Sequence, residues 1–140
     1  MTDHENALQK AMLAALKTDA ATDALLAGRI WDQAPEDADL PHLIIGRCDS
    51  RPVAADGCGV EQTLILTGVS RFAGTQEAKA VAAAVRACLH ERRLEADGVR
   101  TVSLRVTASE VFRAADGRRT WAVMRLRAVT EVSGEWVLGD

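Results

Sequence analysis

VRTVSLRVTASEV, Val99 to Val111, and RTWAVMRLRAVTEV, Arg119 to Val132, are the two runs that decide the fold. In the first, Val102, Leu104, Val106 and Ala108 alternate with polar residues; in the second, Ala122, Met124, Leu126 and Ala128 alternate with their neighbours. A period of two marks strands, and Asp116-Gly117 between the runs marks a hairpin turn. Directly opposite residues of an antiparallel pair share a face, so a two-residue Asp116-Gly117 turn would set each apolar row against a polar one. A three-residue loop, Ala115-Asp116-Gly117, instead pairs Val106 with Leu126 and Leu104 with Ala128. It also gives Gly117 the left-handed bulge position that such loops need.

The same register makes the other face of the hairpin informative. Arg105 falls opposite Arg127, with Arg125 beside them, and Val111 pairs with Trp121 near the turn. Like charges directly opposite destabilise a strand pair. Either the side chains splay into solvent, or carboxylates from elsewhere in the chain or from a neighbouring subunit neutralise the patch. A Trp–Val pair beside an arginine cluster is a candidate contact surface.

Working outward, Gly74 to Arg93 reads as the longest helix. Ala78, Val81, Ala82, Val85, Cys88 and Leu89 form one stripe, rich in small residues, that can lie close on a sheet. His90 and the arginines that follow suit its C-terminal dipole. Glu61 to Ser70 is a strand in which Gly68 marks a bulge or a close approach. His42 to Arg47 is a short apolar strand. Cys48 to Gly59, with Arg51, Pro52 and Asp56-Gly57, reads as a polar connecting loop, longer than a tight hairpin needs and of the kind that tends to be functional or mobile. At the N-terminus, Thr2 and Glu5 have capping-box spacing ahead of a stripe of Leu8, Met12, Leu13 and Leu16. A short helix from Asp19 to Ala27 follows and stops at Gly28. Gly28 to Pro41 is an acidic, extended connection carrying Trp31, Glu36, Asp37 and Asp39. Beyond the last strand, Trp136 either folds back or anchors a partner. The expected order is α-α-β-β-α-β-β: an α+β domain over residues 1–140, with two N-terminal helices and a mostly antiparallel four-stranded sheet under one long helix.

The 140 residues carry a formal charge of −3, with 48% hydrophobic and 26% charged side chains. That balance suits a soluble globular domain and lacks the basic excess of a free-standing nucleic-acid binder. No apolar run has membrane-spanning length, and the polar, acidic start does not read as a secretory signal. The odd cysteine count, Cys48, Cys58 and Cys88, points to reduced thiols. Their spacing supports no metal site. No nucleophile elbow, phosphate loop, zinc-protease helix or dinucleotide turn is present. A His42–cysteine dyad has no supporting spacing; Asp37 and Asp39 point the same way in an extended chain, which could suit a cation, but an acidic solvated loop is the ordinary reading. The expectation is therefore a chain with no catalytic, cofactor-binding or metal-binding residues.

The run Gly28-Arg29-Ile30-Trp31-Asp32, then Pro35 and Leu40-Pro41-His42-Leu43-Ile44-Ile45-Gly46, resembles the opening signature of the phage tail terminator, or tail completion, family. Thr63 to Arg71 with Glu77-Ala78-Lys79 is similar to its middle. Val102 to Arg105, Val111-Phe112-Arg113, Asp116-Gly117 and Arg125 to Glu131 are similar to its end. The closest likeness is to the version in bacterial gene transfer agents. His42 stands where the family usually has tyrosine, and Gly68 where an aromatic is common. The resemblance implies a structural, non-enzymatic protein. It would form a hexameric ring that caps the tail tube and meets the head-side stopper, with DNA passing through the lumen unread. It would assemble in the bacterial cytoplasm and end in the particle, away from any membrane. Contact residues expected on this basis are Arg51, Pro52, Asp56, Arg105, Trp121, Arg125, Arg127 and Trp136. A small α+β ligand- or peptide-binding module is the rival class, and it would show an enclosed pocket with convergent polar groups.

Overall fold

The computed structural model describes residues 2–53, 59–71 and 74–133. Helix α1 spans His4–Thr18 and α2 Ala20–Leu26; strands β1 (Ile30–Trp31), β2 (His42–Pro52) and β3 (Gly59–Ser70) follow. Helix α3 is Gln76–Leu89, then come β4 (Glu95–Ala96), β5 (Val99–Arg113) and β6 (Thr120–Val132). The strands form one sheet in the order β1-β2-β3-β6-β5-β4. The β1–β2 pair is parallel and the other pairs are antiparallel.

This corrects the expected four-stranded sheet under one long helix. The sheet has six strands and is mixed, and α1 and α3 are nearly equal, at 15 and 14 residues. The two added strands are two residues each, too short for any periodicity to register. The strand β4 turns into β5 through Asp97-Gly98, both left-handed at φ 51° and 78°, the backbone that a tight hairpin demands. Strand β2 also runs on to Pro52, so Cys48–Pro52 is paired strand, not loop.

Even-numbered residues of β3 and β6 point to the core: Leu64, Leu66, Ala122, Met124, Leu126 and Ala128 are buried. The helices cover that face. Leu8, Met12 and Leu16 of α1 are fully buried there, each worth about 1.5–3 kcal/mol relative to exposure. The cap of α1 is Asp3, whose carboxylate accepts the Asn6 amide, rather than Thr2. Asp19 caps α2 through Thr22 in the same way. In both, the bond to the ionised form holds the carboxyl below its ordinary range. The α3 stripe is buried at all six expected positions.

The hairpin register is right in its middle and shifts toward both ends. Leu104, Arg105 and Val106 pair with Ala128, Arg127 and Leu126 as expected. Bulges at Val102 and Thr107 then slip the pairing by one residue each. Each bulge turns β5 over relative to its neighbour. Val102 is consequently 50% exposed instead of buried, and Trp121 pairs with Phe112 instead of Val111. The loop is four residues, Ala115 to Arg118, closed by the Ala114 N–H donating to the Arg119 carbonyl oxygen. Gly117 keeps the left-handed conformation, at φ 71°.

Candidate functional site

With both long helices on one side, the other face of the sheet is covered by no described element. Its residues fall into rows that follow from the pairings. At one end His42, Val69, Trp121 and Phe112 lie side by side on β2, β3, β6 and β5. Trp31 meets the His42 ring edge-on, with centroids 5.5 Å apart, and Phe112 tilts against Trp121 at 6.0 Å. The row is buried at its β2 end and open at its β5 end, where Phe112 and Trp121 are 38% and 39% exposed. His42 Nδ1 lies 3.1 Å from the Asp39 carbonyl oxygen, and burial pushes its pKa below the ordinary 6.5.

The other end of the face is charged, and the chain supplies its own counter-charges. Glu61 reaches both Arg127 and Arg51, the latter at 2.7 Å, and its side chain is only 14% exposed. The two guanidinium contacts, Arg127 first, hold the Glu61 carboxyl below the usual carboxylate range. Glu91 pairs with Arg105 at 3.0 Å. Arg105 and Arg127 stand directly opposite, and each is drawn toward a different acid. Among the described residues Arg125 has no ion-pair partner. It sits between Ile65 and Ala108, in the middle of the face.

Of the residues singled out in the sequence, Arg51, Arg105, Trp121, Arg125 and Arg127 share this face, and Pro52 closes the open edge of β2. Asp56, Trp136 and Cys58 lie outside the described residues. Phe112, Glu61 and Glu91 also belong to this site, and periodicity assigns none of them a contact role. Glu61 was findable: once Cys48–Pro52 is taken as strand, Arg51 and Glu61 are opposite across a hairpin. The His42–Cys48 dyad is not brought together. A bulge between Ile45 and Cys48 turns Cys48 to the helix side, where its thiol donates to Gln62 Oε1 at 3.5 Å. Burial raises its pKa, the wrong direction for a nucleophile. Asp37 and Asp39 are exposed, and among the described residues no three His, Cys, Asp or Glu side chains gather to hold a metal. No described helix is long and apolar enough to cross a membrane.

On the helix side, a buried polar cluster ties α1 to the sheet. Thr130 Oγ1 accepts from Gln62 Nε2 at 3.2 Å and lies 2.9 Å from His4 Nδ1. Gln62 Nε2 also donates to the His4 carbonyl oxygen at 3.3 Å. Gln62 and Thr130 have no exposed surface.

Comparison with known proteins matches residues 10–131 to the model of the family described as tail completion protein gp17. A search of curated proteins finds no significant match. Among solved structures, the chain is similar to one from the virion of a native gene transfer agent particle. The TM-score is 0.84 at 24% identity, covering 94% of this chain and 99% of that one. A second solved chain, at 16% identity and TM-score 0.48 over 89% of this chain and 95% of its own, overlaps too loosely to inform the site.

Proposed function

The chain belongs to the tail completion protein gp17 family, structural proteins of phage-like tails, and from that premise we propose that it is a tail terminator. In this proposal residues 1–140 act as one non-enzymatic unit that assembles into a hexameric ring. One side of the ring caps the last ring of tail-tube protein, and the other meets the head-side stopper. DNA passes through the lumen without being read. Assembly takes place in the bacterial cytoplasm, and the ring ends in the neck of a phage or gene transfer particle.

The family match over residues 10–131 carries this reading. The sheet face turned away from the helices supports it: a half-exposed aromatic pair, Phe112 and Trp121, on the same face as Arg125, which has no ion-pair partner among the described residues, has the make-up of a protein contact surface. The binding-module alternative has less to stand on. Depressions among the described residues, such as the one lined by Glu91, Arg92, Ser103 and Leu104, open onto solvent.

Deletion of this chain from a producing strain tests the proposal. The expected result is tails of unregulated length and capsids without tails, both visible by electron microscopy. Normal tails joined to filled heads would overturn it.

A further inference from the structure

The long strands β2 and β5 are each covered along one half of their outer edge and bare along the other. β1 pairs only with Leu43 and Ile44 of β2, and β4 only with Val99 and Arg100 of β5. In each strand a bulge follows, between Ile45 and Cys48 on β2 and at Thr107 on β5. Beyond each bulge lies a run of edge with no backbone partner among the described residues: Cys48 to Pro52, and Ala108 to Arg113. Bare edges are templates for another strand.

The backbone direction at each edge follows from its nearest ladder bond. The Ala114 N–H donates inward to Arg119, so Ser109, Val111 and Arg113 turn their amides and carbonyls outward. The Val53 N–H donates inward to Gly59, so Cys48, Ser50 and Pro52 face outward on β2. The strands β2 and β5 run antiparallel within the sheet, so the β2 of a second copy placed against β5 continues the sheet antiparallel with its faces matched. Outward groups must meet outward groups, which leaves registers differing by two residues. One pairs Asp49 with Glu110, like against like. Another pairs Arg51 with Phe112. The third pairs Ser50 with Val111 and Cys48 with Arg113, and sets Arg51 opposite Glu110 and Asp49 opposite Phe112. It also puts Pro52, which has no N–H to give, opposite Ser109 at the end of the paired run.

We propose that copies of this chain join through these edges, β5 of one to β2 of the next, in the register that sets Arg51 opposite Glu110. The inference rests on the ring reading above and deepens it. The two edges are different surfaces of one chain, so the contact is head-to-tail, the kind that closes into rings. Opposite charges across the new pair favour this register over its neighbours.

Disulfide trapping in assembled particles tests it. Arg51 and Glu110 would occupy a non-hydrogen-bonded pair, with Cα atoms about 4.5 Å apart, within disulfide reach. In a background of Cys48→Ser, Cys58→Ser and Cys88→Ala, the Arg51→Cys/Glu110→Cys chain should give a ladder of linked oligomers on mild oxidation. Asp49→Cys/Glu110→Cys, out of register, should give at least tenfold less. Rings without the ladder, or with equal ladders from both pairs, would overturn the edge pairing and leave the ring intact. Particles holding only single, unassociated copies would overturn both. Charge exchange in the natural cysteine background gives a second readout: Glu110→Arg should reduce assembled rings at least tenfold, and Arg51→Glu/Glu110→Arg should recover part of that loss. No loss, or no recovery, counts against the pairing.

Discussion

Gly68 lies directly beneath Val81: a β-carbon built on Gly68 would stand 3.0 Å from Val81 Cγ1 and 3.7 Å from Ala122 Cβ. The small-residue stripe of α3 and the bare backbone of β3 thus bring helix and sheet together at one point. Gly68→Val should cost about 1–3 kcal/mol through overpacking, read as a lower urea midpoint with an unchanged denaturant slope. Gly68→Ala should cost less. Combined with Val81→Ala, it should destabilise less than the two single changes summed, because the second removes the atom that the first collides with. Simple additivity would mean that Val81 is not the limiting contact.

Much of this packing was legible before the fold was known. The α3 stripe, Gly68 as a close approach and the central hairpin register all follow from periodicity and face-matching. The strand count was not legible. β1 and β4 are held by neighbours rather than by their own pattern, and β2 beyond Cys48 is polar because its outward side chains meet solvent and Glu61. The bulges were invisible for a related reason. An alternating sequence carries no mark of where its parity slips, so periodicity alone puts Val102 in the core and Val111 beside Trp121, where the bulges put neither. The Asp97-Gly98 pair is a usable hairpin signal between β4 and β5, even though β4 itself is too short to show a period. On the candidate face, the arginines were readable from the register. Their neutralising acids, Glu61 and Glu91, needed the third dimension.

The buried cluster at the start of α1 predicts an asymmetry between single and paired substitutions. Thr130→Val keeps the shape but leaves Gln62 Nε2 without its side-chain partner and strands His4 Nδ1 in the interior. The expected cost is about 1–3 kcal/mol, with faster amide exchange concentrated in the first turns of α1. Gln62→Leu added to Thr130→Val should cost much less than the two separately, since an apolar pair leaves fewer groups unsatisfied. Additive losses would show that the cluster does not act as a unit.

Acid should weaken the fold in two steps whose signs are fixed by His42 and Glu61. Burial lowers the His42 pKa, so the unfolded chain takes the proton first. Its contribution is complete above the ordinary value of 6.5 and drains away as pH falls from there through the lowered value. Glu61, held low by Arg127 and Arg51, contributes above its ordinary 4.5 and loses that contribution as pH falls through its depressed value. Unfolding midpoints measured from pH 8 to pH 3 should therefore decline in both windows. His42→Phe should flatten the upper step alone, and Glu61→Gln the lower step alone. A lower step unchanged in Glu61→Gln would assign it to Asp3 and Asp19, whose carboxyls their helix caps also hold down.

Trp121 and Arg125 separate folding from joining. Both point away from the helices, Trp121 is 39% exposed, and Arg125 has no ion-pair partner among the described residues. Replacing Arg125 with glutamate should leave the unfolding midpoint within about 0.5 kcal/mol of the original, as for ordinary surface changes. Trp121→Ala should cost little more, because Phe112 and Val69 remain to cover the sheet. If this face meets another protein of the particle, a half-exposed tryptophan buried by the contact should carry about 2 kcal/mol or more of it, roughly a thirtyfold loss of affinity. The measurement is the yield of joined particles from a strain supplied with each variant, set beside the soluble stability of the same chain. Joining that survives both changes would move the contact off this face. Joining lost together with stability would mean that Trp121 serves the fold.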